Sequence, residues 1–388
     1  MRSDYDCIVV GLGGIGSAAA YWLARRAGGD VLGLERFEIG HARGASHDHS
    51  RIIRHSYHSP QYVELTKGAY DAWAGLEQDC GEDLIVRTGG LDLWPSDAAI
   101  PMQDYTTSLD ACDIPFELMD ASEVMRRWPQ WKVPDEVTGL YQADGGIAPA
   151  AQCNAAHVRM ARAQGAALEE QTTVTAVRPL DGEIEVTTDE RSYRCAKLIV
   201  AADAWTNDVL AHFGLTLPLT VTQEQVTYWA TPSLDEFSPE RFPIWIWMDE
   251  PSFYGFPVFG EAGVKAAQDV GGREVTADTR TFATDEDALR RVEDFLSRHL
   301  PDALGPIIYT KSCLYTMPPD RDFVLDAIPG HDNAFVALGA AHGFKFASLF
   351  GRILSELVLD DVTSHDLEQF RIDRPALTME DPVKSFMI

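Results

Sequence analysis

YDCIVVGLGGIGSAAAYWLARR, Tyr5 to Arg26, decides the fold. YDCIVV is a short apolar run rich in β-branched residues, the pattern of a buried strand. GLGGIG follows at once and sets Gly11, Gly13 and Gly16 in the GxGxxG spacing, with Gly14 between them. SAAAYWLARR then reads as a helix with small residues on its first turns. VLGLE closes the unit as a second strand ending at Glu35. Gly11 allows the tight turn, Gly13 lets a pyrophosphate approach the backbone, and Gly16 lets helix and strand pack closely. The helix N-terminus offers free N–H groups to phosphates. Glu35 stands where it can accept from ribose hydroxyls. Strand, helix and acid together predict dinucleotide binding. The acid disfavours the extra phosphate of NADP. The motif lies near the N-terminus, as in many FAD enzymes, and no second GxGxxG marks a separate nicotinamide site.

The rest of the composition narrows the class. The chain has 388 residues, 45% hydrophobic and 24% charged, as expected for a globular enzyme-sized protein. Sixty acidic against 32 basic residues give a net charge of −28. That argues against nucleic acid or anionic membrane as partners, since both need a basic face. The six cysteines form no CxxC pair and no zinc spacing, so they read as free thiols in a reducing compartment. No signal peptide and no membrane span is legible, and a cytoplasmic protein is expected.

Further along, Arg36 to Pro60 reads as a long, basic, structureless loop, a functional candidate. Its five histidines invite a metal reading, but their spacing fits no helical pair and no cysteine or acid set completes a site. Helices are expected over 62–78, 121–128, 149–164 and 284–300, and from DAWTNDVLAHFG up to Gly214. Strands are expected over 89–94, 167–179, 183–188, 193–195, 197–202, 223–229, 253–259 and 333–338. The strand KLIVAA and the strand before GAAHGF belong with the first layer. The nucleotide unit is therefore discontinuous: 1–85, 146–218 and 316–388, with 86–145 and 219–315 forming a substrate domain of more antiparallel character. The fold class is α/β, α+β overall.

KSCLYT, Lys311 to Thr316, adds a thiol. On a strand, Lys311 and Cys313 share a face, and the lysine is expected to lower the thiol pKa. Taken alone, Cys313 fits a buried inert cysteine equally well.

GLGGIG, SRIIRHSY (Ser50 to Tyr57), YGFPVFG (Tyr254 to Gly260), KSCLYT, HGFKFAS (His342 to Ser348) and FRIDRPAL (Phe370 to Leu377) together resemble the monomeric sarcosine oxidase family, which includes N-methyltryptophan oxidase. The resemblance runs the length of the chain. It implies a Rossmann-like FAD domain of the glutathione-reductase type, a mixed-sheet substrate domain, and a monomer. It implies FAD joined through the sulfur of Cys313, and oxidation of the C–N bond of a secondary amino acid, N-methyl or cyclic. The imine hydrolyses and O2 becomes H2O2. A flavin-dependent tailoring oxidase or dehydrogenase acting on a biosynthetic amine or imino acid other than sarcosine is the alternative.

Position by position, the resemblance assigns Arg54 and Lys345 to the substrate carboxylate, and Tyr254 and Tyr315 to the cavity wall. Arg51 and His47 border the flavin, and Lys265 serves O2. Gly11, Gly13, Gly14, Gly16, Glu35, Arg36, Ser46, Cys313, Gly343, Phe344 and Lys345 are the expected cofactor contacts. The residue types suit the chemistry. A carboxylate in a dry pocket needs cations, with Arg as a fork and Lys as a point charge. One departure stands out: Asp269 occupies the place of a family histidine on the substrate side. It is expected to pair with Arg273 or Lys265, or to meet a second amine on a larger substrate.

Overall fold

In the computed structural model, which describes residues 2–385, the strand Asp4–Val10 lies between parallel neighbours Val31–Leu34 and Ser192–Val200. Ala167–Glu169 and His331–Leu338 extend the parallel set on either side. An antiparallel hairpin edge, Val174–Pro179 and Ile184–Thr188, and the strand Val324–Ile328 complete eight strands. The helix Gly14–Ala27 covers one face and packs on Ala150–Ala163 and Ala347–Asp360. Two glycines make its entry possible. Gly11 sits at φ +89°, and a Cβ on Gly16 would lie 1.8 Å from the Gly11 carbonyl oxygen.

A second sheet has nine strands, mostly antiparallel. Its longest ladder joins Thr220–Trp229 to Ile307–Met317. The amphipathic helix Glu286–His299 covers it, with Phe295 stacked on Trp245 and Phe253. Burying each such ring contributes about 1.5–3 kcal/mol. The FPIWIWMDE stretch is core here: Phe242, Ile244, Trp245 and Met248 are buried.

Several boundaries differ from expectation. The runs 193–195 and 197–202 are one strand, Ser192–Val200. Its first part pairs with Ile184–Thr188 and its last with His331–Leu338. Burial changes midway from alternating to continuous, so one strand carries two sequence patterns. The run 167–179 is two strands, Ala167–Glu169 and Val174–Pro179. DAWTNDVLAHFG folds as three short helical pieces before Gly214, which caps them at φ +71°. The strand in FYGFPVF stops at Phe256, because Pro257 has no N–H for the ladder. The loop from Arg36 to Pro60 is not structureless throughout. Arg51–Ile53 is a strand, paired with Gly146–Ala148 in a small third sheet. Among the described residues no helix is long and apolar enough to cross a membrane.

Candidate active site

The turn after Asp4–Val10 opens onto a cavity of about 520 Å³ walled by Gly11, Gly13, Glu35, Arg36, Ser46 and Asp203 among others. Glu35 is buried and braces this turn. Its carboxylate accepts the Leu12 N–H at 2.8 Å and the Phe37 N–H at 3.0 Å. Burial opposes its ionisation, but His41 and these amides hold its pKa below the ordinary carboxylate value. Ser46 Oγ accepts the Gly14 N–H at 2.9 Å, which ties the 36–50 loop to the helix N-terminus.

Ala45 and His47 line this cavity and also a second, smaller one of about 120 Å³. Along the wall of the larger cavity several buried polar atoms have no protein partner among the described residues. They include both ring nitrogens of His47, Oδ2 of Asp203 and Oδ1 of Asn154. Buried polar groups are nearly always satisfied, so this wall is shaped for a polar ligand. A flavin dinucleotide, with hydroxyls and phosphates along its length, fits it. Burial and the Arg51 charge lower the His47 pKa to about 3, so its imidazole is neutral. Burial raises the Asp203 carboxyl to about 6.

Cys313 stands on the strand Ile307–Met317, buried in the wall of the smaller cavity. Its Sγ lies 3.9 Å from the Ala45 carbonyl oxygen, which also accepts from Arg51 Nη2 at 2.7 Å. Burial raises the thiol pKa, and Arg51 is the foremost charge opposing that. Lys311 is not the activating cation. Its ammonium is turned to Asp48, 3.1 Å away.

Lys265, on the strand Val264–Asp269, is fully buried. Its Nζ meets Asp48 Oδ2 at 2.7 Å and donates to the Ser50 carbonyl at 2.9 Å. Burial lowers its pKa to about 8 despite Asp48, and Arg51 adds to the lowering. Asp48 also accepts from Tyr228 Oη at 3.0 Å. One carboxylate thus serves two lysines and a phenol. Asp48→Asn leaves the Lys265 charge buried and unpaired, so urea unfolding is expected to show a loss of about 3–5 kcal/mol. An unchanged midpoint and slope would mean that Lys265 finds another counter-ion.

The smaller cavity is also lined by Arg54, Arg321 and Lys345. Arg54 pairs with Asp92 at 3.1 Å, and Asp92 also accepts from Ser56. Lys345 leaves a 3₁₀ turn, Gly343–Phe346, that follows the strand His331–Leu338. Its Nζ donates to Tyr57 Oη at 2.9 Å and to the His342 carbonyl at 2.8 Å, both uncharged partners. Phe344, Tyr254 and Tyr315 complete the wall, whereas Gly343 packs behind it. Asp269 pairs with neither Arg273 nor Lys265. Its two oxygens accept from Arg321 Nη1 and Nη2, each at 2.9 Å. Arg273 instead donates to Thr281.

Sequence reading thus missed Asp48, Asp92 and Arg321. Asp92 left a trace, as the only charge in the strand GGLDLW. Asp48 was implied by the need of a buried lysine for a counter-ion. Arg321 lies in the turn PPDRD, where nothing in the local sequence marks it.

The FAD dependent oxidoreductase family model matches residues 6–357. Monomeric sarcosine oxidase of Streptomyces avermitilis is 35% identical over 379 residues, covering 95% of this chain and 97% of that protein. N-methyl-L-tryptophan oxidase of Escherichia coli O127:H6 is 32% identical, covering 95% and 99%. Among solved structures, NikD, an unusual amino acid oxidase essential for nikkomycin biosynthesis, superposes with a TM-score of 0.83 at 28% identity, over 95% of this chain and 98% of that one.

Proposed function

The chain belongs to the FAD-dependent oxidoreductases, and from that premise we propose that it oxidises the C–N bond of a secondary amino acid, N-methyl or cyclic, with O2 as acceptor. One observation carries the reading. Lys345 is a buried lysine whose Nζ, among the described residues, meets only uncharged partners, in a cavity that shares Ala45 and His47 with the dinucleotide site. Burial, Arg54 and Arg321 all push its pKa down. An incoming carboxylate supplies the missing counter-charge. Arg54, already held by Asp92, gives a fixed edge to the same cavity.

A flavin held here would supply the two-electron acceptor for oxidation of the CH–NH unit to an imine, with O2 as the final acceptor giving H2O2. The residues hold the substrate for this and dry its surroundings. Tyr254, half-buried, and Tyr315, buried, line the wall, and desolvation raises both phenols, so they stay protonated donors. His47, neutral, and Arg51 border the flavin ring, and Cys313 is its covalent anchor. Glu35, Arg36, Ser46 and the Gly11–Gly16 turn hold the dinucleotide portion. The substrate is a small amine or amino acid.

The likeness to NikD supports a second reading, a tailoring oxidase acting on a biosynthetic imino acid. One experiment tests both. Under anaerobic conditions the holoenzyme is mixed with N-methyl, cyclic and primary amino acids, and flavin bleaching is followed. Admitting air should then release peroxide. Bleaching is expected with the secondary amines. No bleaching by any amine would overturn the oxidase reading.

A further inference from the structure

We propose that Tyr57 is the positioning residue for the two cations that meet the substrate carboxylate: held by His342, its phenol keeps Lys345 turned into the cavity, and its ring keeps Arg54 beside it. The proposal rests on the amino-acid reading above and deepens it, from which cations meet the carboxylate to what fixes them there. One ring touches both. The Arg54 guanidinium carbon lies 5.2 Å from its centre and Lys345 Nζ 5.4 Å, and Lys345 also donates to its Oη at 2.9 Å. Tyr57 is 1% exposed and stacks on Tyr62 at 4.9 Å, with the two planes 11° apart. Tyr62 is itself tied to Asp322 by a hydrogen bond of 2.7 Å, so the ring is clamped.

The direction of each hydrogen bond follows from what each atom can do. His342 Nε2 lies 3.1 Å from the Arg321 carbonyl oxygen, which can only accept, so Nε2 carries the proton. Burial and the neighbouring Lys345 keep the imidazole neutral, which leaves Nδ1 a lone pair. Tyr57 Oη, 3.1 Å away, therefore donates to Nδ1 and turns its own lone pairs to Lys345. Lys345, Tyr57, His342 and the Arg321 carbonyl form one chain in which every donor points the same way. The backbone before His342 is held to suit. Ala340 and Ala341 stand at φ +46° and +70°, a region that non-glycine residues rarely enter.

An ammonium has three N–H donors. Among the described residues Lys345 Nζ gives to Tyr57 Oη and to the His342 carbonyl, and these two directions set the third. The other charged groups lining the cavity have partners of their own. Lys265 meets Asp48, Asp269 accepts from Arg321, and Arg51 donates to the carbonyls of Ser50 and Ala45. Glu224 accepts from Thr222 Oγ1 and the Gly272 N–H. Asp92 pairs with Arg54, and among the described residues no carboxylate bridges Arg54 to Lys345. Tyr57 is therefore what sets the spacing of these two cations.

The test titrates the holoenzyme with acetate and with acetamide, which has a similar shape and no charge, while flavin absorbance is followed. Wild type is expected to bind acetate more tightly. Tyr57→Phe keeps the ring face for Arg54 but removes an acceptor from Lys345. Acetate should weaken by about tenfold or more, and acetamide by less than about twofold. His342→Asn keeps an oxygen acceptor near the place of Nδ1, whereas His342→Leu offers none. The first should keep most of the acetate affinity, and the second should lose about as much as Tyr57→Phe. A merely structural role weakens both ligands alike. Unchanged acetate affinity in Tyr57→Phe, or equal losses for acetate and acetamide, overturns the proposal, and so does His342→Asn falling to the level of His342→Leu. Should Tyr57→Phe fail to fold, the two His342 variants decide alone. A wild type that binds acetate no better than acetamide would overturn the carboxylate reading, and the proposal with it. Failure in the variants alone leaves that reading standing.

Discussion

Precipitated with acid, Cys313→Ser protein is expected to release all of its flavin, whereas wild type keeps its yellow colour in the pellet. The reason lies in nucleophilicity. The thiolate is the reactive form of cysteine, and a serine hydroxyl at the same place has no comparable anion at neutral pH. Burial alone makes Cys313 a poor thiolate, and the Arg51 guanidinium is the foremost charge opposing that. Arg51 is itself fixed by the carbonyls of Ser50 and Ala45, so the charge cannot drift from the sulfur. The variant should still bind FAD before precipitation, because Glu35, Ser46 and the glycine turn are untouched. Absorbance of pellet and supernatant separates the outcomes. Wild-type flavin found in the supernatant would return Cys313 to the role of an inert strand residue.

Lys265→Met should slow re-oxidation of the reduced flavin by O2 on the order of 10²–10³-fold, the usual cost of removing one preorganised electrostatic group. Reduction by substrate should change far less, since Arg54 and Lys345 have partners of their own, Asp92 and Tyr57, that Lys265 does not share. Stopped-flow mixing of the reduced enzyme with oxygenated buffer reads the two steps separately. The pH dependence has a definite sign. Burial and Arg51 bring the Lys265 pKa down to about 8, with Asp48 resisting. The charged form therefore prevails below about pH 8 and is lost above it, so the oxygen step should slow as pH rises through that value. A flat profile, or a methionine variant with wild-type oxygen kinetics, would move the role to another cation.

The fold was legible where local pattern and tertiary role coincide. The strand, glycine turn and helix from Asp4 to Ala27 carry their reason for folding in the residues themselves. Ser192–Val200 was harder, since its burial is set by two different neighbours that no local window contains. In the site, Arg54, Cys313 and Lys345 sat in recognisable motifs, and Lys265 followed only from the resemblance. Their counter-ions did not. Asp48 reaches Lys265 across 217 positions of sequence and Arg321 reaches Asp269 across 52. Pairing at such separations depends on how two sheets meet. The misreading of Lys311 has the same origin, because a two-residue offset on a strand shows a shared face and not which partner claims the charge.

The cysteine and the glycine turn belong to different sheets, at Gly11 in one and at Cys313 in the middle of the Thr220–Trp229 and Ile307–Met317 ladder in the other. A flavin tethered at Cys313 would therefore stay on the chain after both sheets come apart. Refolding would then meet its cofactor at an effective concentration in the millimolar range, set by the length of the tether. Recovery of the holoprotein from denaturant would be first order and indifferent to added FAD. A protein that had never acquired the tether would depend on the free pool.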